Sequence, residues 1–176
     1  MLFTDDTVEA LRAAVHLANT AEQPDTLVTA DDFAAFLEAF PYTGRIDGDD
    51  DELAELRALR PRLRSILLSS RDEMVAGINS ALGEVTLDAR LVRHDGADWH
   101  LHAVADDRPL AERILAETAM GLIDVVRADE GSRISVCADE DCGGVVLDLS
   151  RNRSRRYCST ACTNRNAVAA YRARQR

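Results

Sequence analysis

Apolar residues recur at helical spacing through most of the first 130 positions. Val8, Leu11, Val15 and Ala18 form one stripe over 7–19, and Gln23-Pro24-Asp25 breaks the run. Thr29, backed by Asp31 and Asp32, has the chemistry of an N-cap with an acidic first turn. It predicts a second helix through Phe33, Phe36, Leu37 and Phe40, stopping before Pro41. The acidic run 49–52 opens a third helix along Leu53, Leu56, Leu59, Leu63, Ile66 and Leu67, which should kink or break at Pro61 for want of an N–H. A fourth is predicted over 72–82, with Gly83 as its C′ residue.

The period then changes to two. Segments 86–93 and 98–104 flank His94-Asp95-Gly96-Ala97, which reads as a hairpin turning at Asp-Gly, with His100 and His102 on one face of its second strand. After it, 106–109 ends in Pro109 as an N1 residue and starts a long helix to about Ala128, striped by Leu110, Ile114, Leu115, Met120, Ile123 and Val126. Segment 129–133 is the joint to two short strands, 134–136 and 145–149. The expected fold class is therefore α+β: a mostly helical body with a β-hairpin, then a small C-terminal module ending in a helix.

At 176 residues and 46% hydrophobic content, the chain can bury one core plus an appendage. No run approaches the roughly 18 apolar residues of a membrane span. All 21 basic residues are arginine, which reads first as the codon bias of a GC-rich bacterial genome. The net charge of −10 conceals a split: residues 1–150 hold 13 arginines against 31 acids, a balance of −18, whereas 151–176 hold 8 arginines and no acid. An acidic body with a basic arm is the pattern of a chain that meets a polyanion.

Four cysteines occur, as Cys137-x4-Cys142-x15-Cys158-x3-Cys162. Two close pairs joined by a loop suit one tetrahedral thiolate site, and Zn(II) is the metal such a site prefers. Two structural disulfides are the other reading. The segment 1–6 has no basic n-region, which points to a cytoplasmic chain and weighs against disulfides. His16, His94, His100 and His102 lie upstream and are not needed as ligands. Ser159 should cap the last helix and put Cys162 in its first turn. Metal binding should supply the folding energy of 134–176, so its removal is expected to disorder that segment and leave the body intact.

Arg151, Arg153, Arg155 and Arg156 fill the loop between the cysteine pairs, and Arg165, Arg172 and Arg176 share one face of the final helix, beside Val168 and Tyr171, which should pack on the knuckle. A zinc tetrathiolate carries a formal charge of −2, which two arginines would balance. The surplus predicts contact with a phosphate backbone, DNA being the expected partner. Asp139, Glu140 and Asp141, between the first two ligands, should face away from phosphate. No nucleophile elbow or Gly-rich phosphate loop occurs, so no catalytic residue and no enzyme is expected.

The run 149–159, followed by Cys162-Thr163-Asn164-Arg165 and 171–174, resembles the CGNR zinc-finger family. In that family the body is typically an ABATE domain, and the proteins are bacterial, stress-linked transcription regulators. Asn19-Thr20 and the Leu-rich stretch 53–68 carry the looser resemblance over the body. Thr163 stands in place of the family's glycine, Gly144 and Val146 in place of larger aromatics, and His16 in place of an acid. The resemblance implies a body over 1–130, a zinc module over 131–176, Cys137, Cys142, Cys158 and Cys162 as ligands, and the module as the DNA-binding part. The body would then sense a small molecule, through residues the sequence does not identify, or form a homodimer. A zinc-stapled adaptor that docks an acidic protein surface is the alternative.

Overall fold

The computed structural model describes residues 3–93 and 99–175. Four helices come first: α1 (Asp5–Asn19), α2 (Ala30–Ala39), α3 (Asp50–Leu67) and α4 (Arg71–Glu84). Strands β1 (Arg90–Val92) and β2 (His100–His102), helix α5 (Leu110–Arg127), strands β3 (Ile134–Val136) and β4 (Val145–Leu147), and helix α6 (Thr160–Arg174) follow.

The caps explain the starts. Thr29 accepts a hydrogen bond from the Asp32 N–H, and the Asp32 carboxylate accepts from the Thr29 N–H, closing a capping box on α2. Asp49 caps α3 in the same sense, and the buried Glu52 carboxylate accepts the N–H groups of Asp47 and Gly48. Helix α3 runs through Pro61 without a break. The carbonyl of Arg57, which lacks an N–H partner because Pro61 has none, accepts from Arg60 Nε instead. Helix α4 continues past Gly83 to Glu84, whose carboxylate accepts from Arg62 and Ser80 and secures the last turn. Gly83 is therefore helical rather than a C′ residue. Pro109 occupies the N-cap of α5, one position before the predicted N1.

Helix α5 is central to the body, packed on α1, α3 and α4 and burying Leu110, Ile114, Leu122 and Val125. Beyond α1, Asp25 receives both arms of Arg60 at 2.8 and 3.0 Å, which holds its carboxyl down at about 2, and Arg60 also donates to Thr20 Oγ1. Strands β1 and β2 pair antiparallel with Leu91 opposite Leu101, a shorter ladder than the sequence predicts, and the predicted turn at 94–97 lies outside the described residues. Ala103 and Val104 pack the hairpin onto Ala116 of α5.

Strands β3 and β4 form a second antiparallel pair, with Ser135 opposite Val146. All three residues of β4 are buried, and they alternate: Val145 and Leu147 join the body's core together with Ile134, while Val146 joins Cys137 and Cys162. One strand thus serves two cores. Among the described residues, no helix is long and apolar enough to cross a membrane.

Candidate metal centre and arginine rim

The four cysteines converge from separate elements. Cys137 follows β3, Cys142 precedes β4, Cys158 ends the arginine loop, and Cys162 sits in the first turn of α6, its N–H donating to Ser159 Oγ at 3.2 Å. The sulfurs lie within 4.8 Å of one another, with 3.5 Å between Cys142 and Cys158 and 3.8 Å between Cys158 and Cys162. Zn–S bonds of about 2.3 Å in a tetrahedron put sulfurs about 3.8 Å apart. A disulfide would need about 2.0 Å. All four cysteines are free, so the spacing fits a metal and excludes the disulfide reading.

The surroundings suit thiolates. Gly144 N–H donates to Cys142 Sγ at 3.3 Å, Cys158 N–H to Cys137 Sγ at 3.4 Å, and Arg165 to Cys162 Sγ at 3.5 Å. Burial pushes the Cys158 and Cys142 thiols up; at Cys137 burial also raises the thiol's pKa, but hydrogen bonds from the Cys158 and Asp139 backbone and the Cys158 and Cys142 thiols together lower it. Four such sulfurs ionise together only around a cation. Gly144 is required by contact: a Cβ there would lie 2.9 Å from Cys158 Sγ. That approach explains why no aromatic stands at Gly144 in this chain.

The centre is fastened to the body by side chains from α1 and the turn after it. Asn19 accepts the Val145 N–H at 2.6 Å and donates to the Val145 carbonyl at 2.8 Å, acting as a strand partner for β4. Glu22 accepts the Gly143 N–H at 3.1 Å and is itself paired with Arg64. Sequence reasoning singled out Asn19 through its family resemblance but could not see this role, since its partner lies 126 residues away. His16, exposed on α1, lies against the rings of Phe36 and Phe40, and the desolvation they impose lowers its pKa.

The predicted phosphate contacts divide by what they touch. Arg165 Nε donates to the buried Asp139 carboxylate at 2.7 Å, and Asn166 adds a bond of 2.8 Å, so α6 is clamped to the first knuckle. Asp139 therefore turns inward, while Glu140 and Asp141 are exposed. Arg153, at a positive φ of 50°, reaches Glu130 at 2.8 Å. Glu130 also receives buried Arg133, which donates to the carbonyls of Asp148 and Ser150. That three-residue brace was not anticipated; only the local charge at 130 and 133 hinted at it. Arg155 holds the carbonyls of Tyr157 and Cys158. Arg151, Arg156 and Arg172 are exposed and have no acid partner among the described residues, although Arg156 lies 6.0 Å from the Tyr157 ring centroid. Arg176 lies outside the described residues. Val168 and Tyr171, expected to pack on the knuckle, are instead 48% and 58% exposed.

The four-sulfur knuckle on a helical body defines a zinc-finger protein, and the CGNR zinc finger family matches residues 133–175. The ABATE family, described as "Putative stress-induced transcription regulator", matches residues 11–129, more than half of the chain, so this chain belongs to the ABATE family. No curated protein matches it. The cysteine cluster is able to coordinate a zinc ion, and both families are described as regulatory or zinc-binding rather than enzymatic.

Proposed function

We propose that this protein is a DNA-binding transcription regulator in which the zinc module grips the phosphate backbone and the helical body senses a ligand. The observation that carries the reading is the set of exposed arginines without acid partners among the described residues, Arg151, Arg156 and Arg172, in a 26-residue segment, 151–176, that contains no acid at all. A concavity of about 440 Å³ beside the first turn of α6 supports it, because Arg155, Arg156, Ser159, Thr160 and Thr163 line it together. Guanidinium forks, hydroxyls and the positive end of a helix dipole all suit a phosphate oxygen.

The contacts assign different work to the arginines. Arg165 and Arg153, committed to Asp139 and Glu130, hold the module in shape; Arg151, Arg156 and Arg172 face the polyanion, and Arg155 orders the loop between them. Zinc, when bound, supplies the cross-link that fixes the loop's two ends.

Fluorescence anisotropy with labelled duplex DNA over a salt series tests this on the full chain. Arg156→Ala should weaken binding and reduce the log–log salt slope by about 0.9, the value for one lost phosphate contact. Arg165→Ala should instead lower zinc retention and thermal stability. Absence of affinity for any duplex at low salt would overturn the reading in favour of an adaptor that docks an acidic protein surface.

A further inference from the structure

A cleft of about 1530 Å³ opens in the body between α1, α5 and the β1–β2 hairpin. Its lining includes the small residues Ala10, Ala13 and Gly121 and the apolar side chains of Phe3, Leu101, Met120 and Ile123. Such a surface suits an apolar ring or chain.

The described lining is also acidic. Six carboxylates, from Asp5, Asp6, Glu9, Asp106, Glu117 and Asp124, face it against Arg113 and Arg127. Four of them are already engaged: Asp6 accepts the Leu101 N–H, Asp124 accepts from Thr7, Asp106 holds the His102 ring, and Glu9 is paired with Arg12. Asp5 lies at the exposed start of α1. Glu117 is different: it lies partly buried on α5, with no hydrogen-bond donor reaching it among the described residues.

The nearest cation does not fill that role. Arg113 directs Nε and both terminal nitrogens to the carbonyls of Arg108, Thr43 and Arg45, which anchors the loop after α2 and the residue it carries, Tyr42. Tyr42, partly buried, also lines the cleft, and its hydroxyl has no hydrogen-bond partner among the described residues. A carboxylate and a phenol oxygen are thus left over in the lining of the cleft, both able to accept.

We propose that the cleft binds a monocationic amphiphile, an aromatic or aliphatic body bearing one ammonium group, with Glu117 as its counter-ion and the Tyr42 oxygen as a second acceptor. Burial pushes the Glu117 carboxyl up to about 7 despite Arg113, the signature of a charge short of partners, and an ammonium supplies one. The aromatic rings of Phe3, Phe40 and Trp99 around the cleft add faces that favour a cation. This deepens the reading of the body as a sensor and rests on it.

Trp99 is the chain's single tryptophan and lines the cleft, so its fluorescence reports occupancy. Titration with phenylpropylammonium, phenylpropanol and phenylpropanoate varies the charge on one skeleton. The ammonium should bind saturably and at least about tenfold more tightly than the alcohol, the margin of one charge-assisted hydrogen bond. Glu117→Gln, nearly isosteric, should abolish that margin while leaving the alcohol's affinity unchanged. Tyr42→Phe should lower the ammonium's affinity severalfold and gives a second route if the first variant folds poorly. If the alcohol or the carboxylate binds as tightly as the ammonium, the ligand class proposed here is wrong and the sensor reading survives. If none of the three binds, both fall.

Discussion

Single residues decide more of this molecule than their surroundings in sequence suggest. Asn19 imitates a β-strand by offering both an acceptor and a donor to Val145, and Gly144 makes room for a sulfur. Glu117 has a measurable consequence of its own. Its carboxyl titrates at about 7 in the native chain against an ordinary 4.5, because burial outweighs the pull of Arg113, with Asp106 adding to the rise. Arg113, Asp124 and Arg127 of α5, Asp106 before it, Tyr42 after α2, Asp5, Asp6 and Glu9 of α1, and His100 and His102 of β2 are the charged and titratable groups sharing the cleft with Glu117, and Asp106 is tied to His102. Between those two values the folded chain holds a proton that the unfolded chain has released, so stability falls as pH rises through the window. The full shift corresponds to about 3 kcal/mol. Urea unfolding of the native chain and Glu117→Gln at both ends of the window isolates this, since other titrations cancel in the difference. Native stability should drop relative to the variant toward pH 7, and a constant difference would refute the assignment. Asp25 acts in the opposite sense: held at about 2 by Arg60, it loses its contribution as pH falls below its ordinary 3.8. Neither group was legible in the sequence, because each shift comes from neighbours that only the fold assembles.

At the scale of elements, what could be read in advance followed from local chemistry. Thr29 and Ser159 announce their helices through backbone donors only a turn away, and both cap as predicted; Asp49, read only as part of an acidic start, caps α3 as well. The cysteine spacing was legible for the same reason, since each pair is set by a short loop. The misjudged points depend on distant partners. Pro61 sits within an unbroken helix because Arg60 occupies the orphaned carbonyl, and Gly83 stays helical because Arg62 holds the following Glu84. Helix α6 shows the limit most plainly: its apolar residues at 168 and 171 gave no indication that both stay largely exposed. It buries only Cys162 and is held by Arg165, Asn166 and the metal ligands. Strand β4, by contrast, is bonded to Asn19 and buried in the body. Chelation of zinc should therefore not disorder the whole of 134–176, as the sequence suggested. Hydrogen exchange after metal removal should show α6 and the arginine loop losing protection while β3 and β4 keep theirs. Equal loss across both strands would mean that the body does not support the hairpin.

Across the whole molecule the governing feature is the separation of charge, −18 over residues 1–150 and +8 over the remainder, legible from composition alone. What composition could not reveal is that the two parts are braced across that boundary, since Arg153 reaches Glu130, and β4 is shared between the body's core and the sulfur cluster. The acids that bear on the proposed DNA surface are therefore fixed in place rather than averaged over a flexible tether. Glu140 and Asp141 are the exposed acids of the first knuckle, and the neighbouring Ala138 N–H donates to the Arg156 carbonyl at 2.9 Å, so this knuckle lies beside the arginine rim. Salt governs how far such charges reach: the screening length is roughly 8 Å at physiological ionic strength and shrinks to about 3 Å at about 1 M. Glu140→Gln combined with Asp141→Asn should tighten non-specific duplex binding severalfold at low salt, with an advantage that fades as salt rises. Neither side chain is buried, so the fold should tolerate both changes. Anisotropy titrations of the full chain over a salt series measure the effect. Equal affinity of variant and native chain at every salt concentration would place the DNA surface away from this knuckle and remove Arg156 from it.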